Sequence, residues 1–221
     1  MEKKYFLAEE FLEGKEIGAQ AFILNGELQF IIPHDDQLFY SNTGVPIGHS
    51  APISLSTKLF NDIKKQIKLS VEALKLDNCA LNIDFIIKND LVYVLEIGAR
   101  SGATCLSELV STSFGFDYYK YIIDVSLGKM PQINKNVKIQ PNASSLLFAK
   151  SSGVIKHINN KNNINDKDII EIMLDYSEGQ MVRKFEVGPD RIGHIIVKGK
   201  TLEEAKKKLQ KTIKNIEIVV S

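Results

Sequence analysis

The stretch Asp84 to Thr104 limits what this chain can fold into more than any other part of it. Leu81–Ile87 and Val92–Ile97 read as short strands joined by a tight turn at Asn89-Asp90, so the two must lie antiparallel. An acid stands near the outer end of each strand, Asp84 on one and Glu96 on the other. Acids on strands that otherwise read as buried are costly unless a cation meets them. A three-residue loop, Asn89-Asp90-Leu91, sets Lys88 opposite Val92 and therefore Asp84 opposite Glu96 on one face. Facing carboxylates repel, but together they make an oxygen cage for a hard cation such as Mg²⁺, which takes one or two carboxylates and fills its shell with water and phosphate oxygens. A two-residue loop shifts the register by one and sends the acids to opposite faces. The metal reading therefore depends on the register.

Arg100 follows Glu96 by four residues in Ala99-Arg100-Ser101-Gly102. Its guanidinium fork matches a phosphate or carboxylate, and the backbone N–H groups of Ser101, Gly102 and the following helix start can face an anion. The plainer alternatives are two exposed acids on a sheet edge and an arginine paired with a nearby acid.

Elsewhere the chain alternates strands and helices. Tyr5–Leu12 and Ile17–Leu24 read as strands, and Asn25-Gly26 is a hairpin turn returning through Leu28–Pro33. Residues 34–54, broken by Gly44, Pro46, Gly48 and Pro52, read as a long functional loop. Ser56 or Thr57 caps a helix whose apolar residues run from Leu59 to Leu74 at helical spacing. Ala103–Gly115 and Tyr118–Leu127 read as helices. After Pro141 come short strands at Leu146–Ala149, Val154–Ile158, Ile169–Leu174, Met181–Val187 and Ile192–Val197. Thr201-Leu202-Glu203-Glu204 then opens a helix to about Asn215, and Glu217–Val220 is a last strand. The expected fold class is α+β: a largely antiparallel sheet covered by helices in residues 1–140, then a small β-rich domain in 141–221.

Composition narrows the partners. The 221 residues carry a net charge of +1, which gives no reason to expect nucleic acid or an anionic membrane. No apolar run reaches the roughly 18 residues of a membrane span. Cys79 and Cys105 match no ligand spacing and read as reduced thiols of a cytoplasmic protein. The chain enters its first expected strand almost at once, as a fragment of a longer protein does.

Glu96-Ile97-Gly98-Ala99-Arg100 resembles the Glu-Ile-Asn-Pro-Arg type of motif in ATP-grasp enzymes, in the form nearest to the amino-acid ligase branch. Asp84 falls where that family has its other metal-binding acid. Glu9-Glu10-Phe11-Leu12-Glu13-Gly14-Lys15-Glu16 resembles the family's hinge segment. Arg191–Gly199 with Thr201–Ala205 is similar to the small C-terminal domain of the amino-acid ligases. The resemblance implies an ATP-dependent carboxylate–amine ligase, in which a carboxylate is phosphorylated and the acyl phosphate is attacked by an amine. It implies ATP with Mg²⁺, or Mn²⁺ in its place, held by Asp84 and Glu96. Arg100 is the implied catalytic residue, steadying the transferring phosphate or the carboxylate. The backbone around Glu9, Glu10, Phe11 and Leu12 would meet the adenine, and Glu16 the ribose hydroxyls. Small-molecule substrates are the expected partners, with a homodimer through the sheet as a further expectation. A carbamoyl-phosphate-synthase-like or biotin-carboxylase-like enzyme is the alternative within the family; a non-catalytic nucleotide-binding or assembly module is the alternative outside it.

The sequence departs from the family at Gly98, where an asparagine usually supplies a third metal contact. The family's lysine-bearing lid lies before the hinge segment, so the chain is expected to bind Mg²⁺-nucleotide weakly and not to turn it over. Three further groups carry weaker signals. His34-Asp35-Asp36 suits metal ligation, acid–base work or plain solvation. His49-Ser50 suits contact with a second substrate or a plain structural role. His157 and His194 sit in strand patterns. The four histidines show no zinc spacing, and Lys206, Lys207, Lys208, Lys211 and Lys214 read as a solvated helix face suited to the helix dipole.

Overall fold

A computed structural model describes residues 6–40, 44–134, 137–163 and 165–221. Lys15–Leu24 (β1), Glu27–Tyr40 (β2), Gly44–Ala51 (β3), Cys79–Lys88 (β4) and Leu91–Gly98 (β5) lie in one antiparallel sheet with Asn142–Phe148 (β6), Ile169–Leu174 (β8) and Arg191–Lys198 (β10). The strand order is β5-β4-β1-β2-β3-β6-β10-β8. Gly153–Asn160 (β7), Met181–Val182 (β9) and Ile216–Val220 (β11) form a second, three-stranded sheet. The helices are Thr57–Leu74 (α1), Leu106–Phe114 (α2), Tyr118–Ser126 (α3) and Leu202–Lys214 (α4).

Period-2 alternation along β1 and β4 divides their side chains between two apolar layers. One face gives Ile17, Ala19, Ala21, Ile23, Leu81, Ile83 and Phe85 to a core closed by Ile63, Ile67 and Val71 of α1. These three recur four apart, which keeps them on one stripe of the helix. The Ser56 side chain starts α1 by accepting a hydrogen bond from the Leu59 N–H (3.2 Å), satisfying one of the first-turn donors. The opposite face gives Phe22, Leu24, Phe30 and Ile32 to α2 and α3, which cover it with Leu109, Val110, Tyr118 and Tyr121. That cover reaches only part of the face; beyond it the sheet carries polar residues, and the candidate site lies there. A third core seats Ala205 and Leu209 of α4 against Ala143, Ile195 and Val197.

Three sequence expectations change. Residues 34–40 and 44–51 are strand and not loop: β2 continues through Asp36 to Tyr40 and pairs with β3. Their polar side chains hid the strand because His34 and His49 are buried by satisfying each other's neighbour rather than by apolar packing. Tyr5 lies outside the described residues, and residues 6–14 form no strand; both neighbours of β1 are already taken, by β2 and β4. The strand expected at Met181–Val187 stops at Val182, because the Asp190 carboxylate accepts from the N–H groups of Glu186 and Val187 (3.2 and 3.1 Å) and turns the chain there. The expected division at residue 140 falls between α3 and β6, where residues 137–141 have no regular structure, yet the sheet runs across it through the β3–β6 pair.

Candidate functional site

The acid pair is built by a bulge. The turn of the β4–β5 hairpin has two residues, Asn89 and Asp90, both at positive φ (52° and 59°), as a type I′ hairpin requires. Lys88 therefore faces Leu91, and the same register continues to Phe85 opposite Val94. A shift then follows, and Asp84 faces Glu96 after all. Leu95 is the extra residue, a β-bulge of the kind that re-aims side chains next to sites. The expected loop length was wrong and the expected pairing right.

The bulge also resolves a conflict in the sequence. Strict alternation would put Val92, Val94 and Glu96 on one face. Val92 and Val94 pack in the α1 core, and the bulge turns Glu96 away from it.

Glu96, Asp84, Gly18 and His34 form one row across four strands. Burial raises the Asp84 carboxyl to about 6, with the charges of Asp36, Glu96 and Glu16 adding to the shift and Arg100 opposing it. Five charged groups named from sequence motifs thus act on one another here, four of them acidic. A hard cation fits this donor set: oxygen ligands in excess of positive charge, on strands that hold them in place. Arg100 is exposed and makes no ion pair among the described residues; its Nη1 donates to the Ser101 carbonyl (3.0 Å). The guanidinium is therefore not consumed by a structural salt bridge.

The pH dependence has a definite sign. The folded chain holds the Asp84 proton up to about 6, against an ordinary 3.8. Between these values the folded state binds more protons than the unfolded, so stability falls as pH rises from about 4 to about 6 and is level above. Asp84→Asn is expected to flatten this slope and to raise cation-free stability at pH 7 by about 1 kcal/mol, solvent screening having reduced the effect at a half-exposed group. Urea titrations at pH 4.5 and 7 measure it; an unchanged slope in the variant contradicts the assignment.

A row further along, sequence reasoning missed a carboxamide pair. Gln20 Nε2 donates to Asn82 Oδ1 (2.5 Å), and the Gly102 N–H donates to Gln20 Oε1 (2.9 Å). This ties the loop after Arg100 to the sheet. The available signal was two amides, Gln20 and Asn82, in otherwise apolar strands. Asn82 is also the residue directly opposite Gly98, the position that lacks the family's asparagine.

His34, Asp36 and His49 converge beside the acid row. His34 Nδ1 and His49 Nδ1 both donate to Asp36 Oδ1, at 2.8 and 2.7 Å. Burial opposes ionisation of Asp36, but these two hydrogen bonds outweigh it and hold the carboxyl well below its usual range. Gly18 makes room for the cluster: a Cβ there would lie 2.1 Å from His34 Cε1.

Of the other sequence candidates, Glu16 reaches the acid row through its charge on Asp84, and the rest stay apart. Glu9, Glu10 and Phe11 are exposed on the segment leading into β1, with Leu12 partly covered, and Glu16 is on β1 itself. His157 pairs with Glu178 (2.9 Å) and His194 with Glu171 (3.0 Å). Neither cysteine forms a disulfide, and burial pushes the Cys105 thiol up to about 12, which suits a packed residue and not a nucleophile. Lys206 and Lys208 bind Asp35 and Asp166 (3.5 and 2.5 Å). No helix among the described residues is long and apolar enough to cross a membrane.

Comparison with known proteins gives this geometry a setting. Residues 145–221 match the family described as L-amino acid ligase C-terminal domain 2. The crystal structure of phosphoribosylglycinamide synthetase from Anaerococcus prevotii superposes with a TM-score of 0.89 at 38% identity, covering 96% of this chain and 55% of that one. The fold is that of the ATP-grasp C-terminal subdomain. Among other ATP-grasp relatives, D-alanine–D-alanine ligase B of Clostridium perfringens is 31% identical over 136 residues, 56% of this chain and 43% of that protein. The biotin carboxylase domain of Hydrogenobacter thermophilus 2-oxoglutarate carboxylase, a dimer solved with MgADP, ADP and bicarbonate, shares the fold at a TM-score of 0.72 and 15% identity over 93% of this chain and 46% of that one. The chain thus spans about half the length of each of these three proteins.

Proposed function

We propose that this chain forms the metal-and-phosphate side of an ATP-grasp carboxylate–amine ligase site. The observation that carries the reading is Asp84 facing Glu96 within a field of acids that Arg100 opposes. Asp84 and Glu96 would hold Mg²⁺, or Mn²⁺ in its place. When bound, the cation would neutralise nucleotide phosphate charge, which is the main catalytic requirement of phosphoryl transfer. Arg100, not tied up in an ion pair, would steady the transferring phosphate or the substrate carboxylate. The Gly102 loop, fastened through Gln20 and Asn82, would fix the distance between that arginine and the acids. The Asn82 amide, opposite Gly98, would supply the oxygen that the family takes from an asparagine two residues after the glutamate.

The segment Glu9-Glu10-Phe11-Leu12 would line the adenine, and Glu16 would hold the ribose. Residues 1–140 would form the ATP-grasp portion and 141–221 the small domain, a division supported by the family match that begins at residue 145. The substrates would be a small carboxylate and a small amine, and the setting cytoplasmic. Self-association through the sheet is tested by sizing.

The discriminating assay is ADP release from ATP with mixtures of amino acids, alongside calorimetry with Mg²⁺-ATP. The 221-residue chain is expected to bind Mg²⁺-ATP weakly, to lose that binding when EDTA removes the cation, and to release no ADP steadily. Binding unaffected by EDTA would remove the metal side of the reading. Steady ADP release dependent on Glu96 would show the chain to be a complete catalyst.

A further inference from the structure

The geometry points to a second metal centre: we propose that His34, Asp36 and His49 bind a divalent first-row transition ion, Zn²⁺ being the one their donors suit best. The site is separate from Asp84 and Glu96, and its success or failure leaves the ligase reading untouched.

The strands bring the donors together. His34 and Asp36 are two apart on β2 and so share a face, and His49 is the residue of β3 directly opposite Asp36. One potential ligand atom from each lies within 4.8 Å of the other two. The separations to Asp36 Oδ1, 2.8 and 2.7 Å, are about 0.6 Å below those of neighbouring ligands in a tetrahedral shell with bonds of about 2.0–2.1 Å, so the three groups spread slightly on binding. The imidazole rings stand nearly perpendicular, at 80° with centroids 5.2 Å apart. Facing edges of that kind can converge on one point.

The donor set selects the ion. Two imidazoles and a carboxylate suit borderline transition ions, whereas Mg²⁺ and Ca²⁺ prefer oxygen. Three protein ligands leave a fourth position open, as in catalytic zinc sites. On this sheet the oxygen-only donors and the nitrogen donors are sorted into neighbouring groups. Gly18 lies between Asp84 and His34 in their shared row, which sets the two groups roughly 10 Å apart at ordinary strand spacing.

One observation sets the cost of ligation. His49 is 3% exposed, and its Nε2 has no hydrogen-bond partner among the described residues. A buried ring nitrogen left without a partner is costly with or without an ion. An ion at Nδ1 displaces the hydrogen that each ring gives Asp36; in a neutral imidazole it moves to Nε2, which faces the Gln20 amide at 3.4 Å in His34 and is enclosed without a partner in His49, so the bonds to the ion must outweigh that cost. Asp36, 26% exposed while both histidines are sealed, opens the route from solvent.

The test is titration of the 221-residue chain with Zn²⁺ against a chelating indicator, and with Co²⁺ read by visible absorption. One equivalent is expected to bind. His49→Gln and Asp36→Asn are each expected to raise the Kd at least about tenfold, and Glu96→Gln to leave it unchanged. Should a variant fail to fold, histidine ring ¹⁵N shifts in the unmodified chain decide: Zn²⁺ must move the His34 and His49 signals and leave His157 alone. Absence of stoichiometric binding, loss on Glu96→Gln with retention on His49→Gln, or shifts confined to His157 or His194 would each overturn the site.

Discussion

Glu96→Gln is expected to weaken Mg²⁺-nucleotide binding by about 100-fold or more while leaving the chain folded. The substitution keeps shape and removes one of two carboxylates from a cation whose protein ligands number one or two. A hundredfold is about 2.7 kcal/mol, a reasonable loss for an anionic ligand. Stability changes little, because Glu96 is exposed on the edge strand and surface substitutions usually stay within about 0.5 kcal/mol. Removing a charge that faces Asp84 also relieves repulsion, so the cation-free melting temperature should hold or rise. Calorimetry with Mg²⁺-ATP and a thermal melt on the same preparation separate the two effects. Superimposable titration curves for the two proteins would remove Glu96 from the metal site.

The second large effect is expected at Gly48, outside the site. A Cβ at this position would lie 2.3 Å from the Ser144 carbonyl oxygen and 3.1 Å from Ser145 Cα. Both belong to the backbone of β6, and Gly48 pairs with Ser145. Side chains can turn away from such a clash; a paired strand cannot, so Gly48→Ala must pry β3 from β6. We expect a loss of about 3 kcal/mol in urea unfolding. A loss under about 0.5 kcal/mol would mean that the seam is slack. Because this pair is the one that carries the main sheet from β3 into the C-terminal strands, the variant also tests whether the two expected domains unfold together. Coincident transitions for both portions are the expected result in the unmodified chain.

Much of the site was legible because its chemistry is concentrated in sequence. Asp84, Glu96 and Arg100 stand within 17 residues, and a hairpin is the local structure that period and turn residues report best. The pairing of the acids was nevertheless reached through a loop one residue too long, whose error the bulge at Leu95 cancelled. Bulges leave no composition signal, so the conflict between Val92, Val94 and Glu96 was the only trace of this one. The β2–β3 hairpin was hidden for a different reason. Its polar residues read as solvent-facing, whereas His34 and His49 are buried through hydrogen bonds to Asp36. Contacts between residues 13 or more apart in sequence, such as His49 with Asp36 or Gly102 with Gln20, follow from strand order, which local pattern does not encode.

The extra residue at Leu95 has an evolutionary consequence. It splits the β4–β5 hairpin into a tip whose alternation answers to the apolar layer under α1 and a base whose alternation answers to the acids. Each block keeps its own phase. Redecorating the exposed side chains of the tip leaves Asp84 opposite Glu96 as long as the bulge and the register below it are kept. The hairpin end is therefore a place where this protein can acquire new surface without retuning its charge-bearing row.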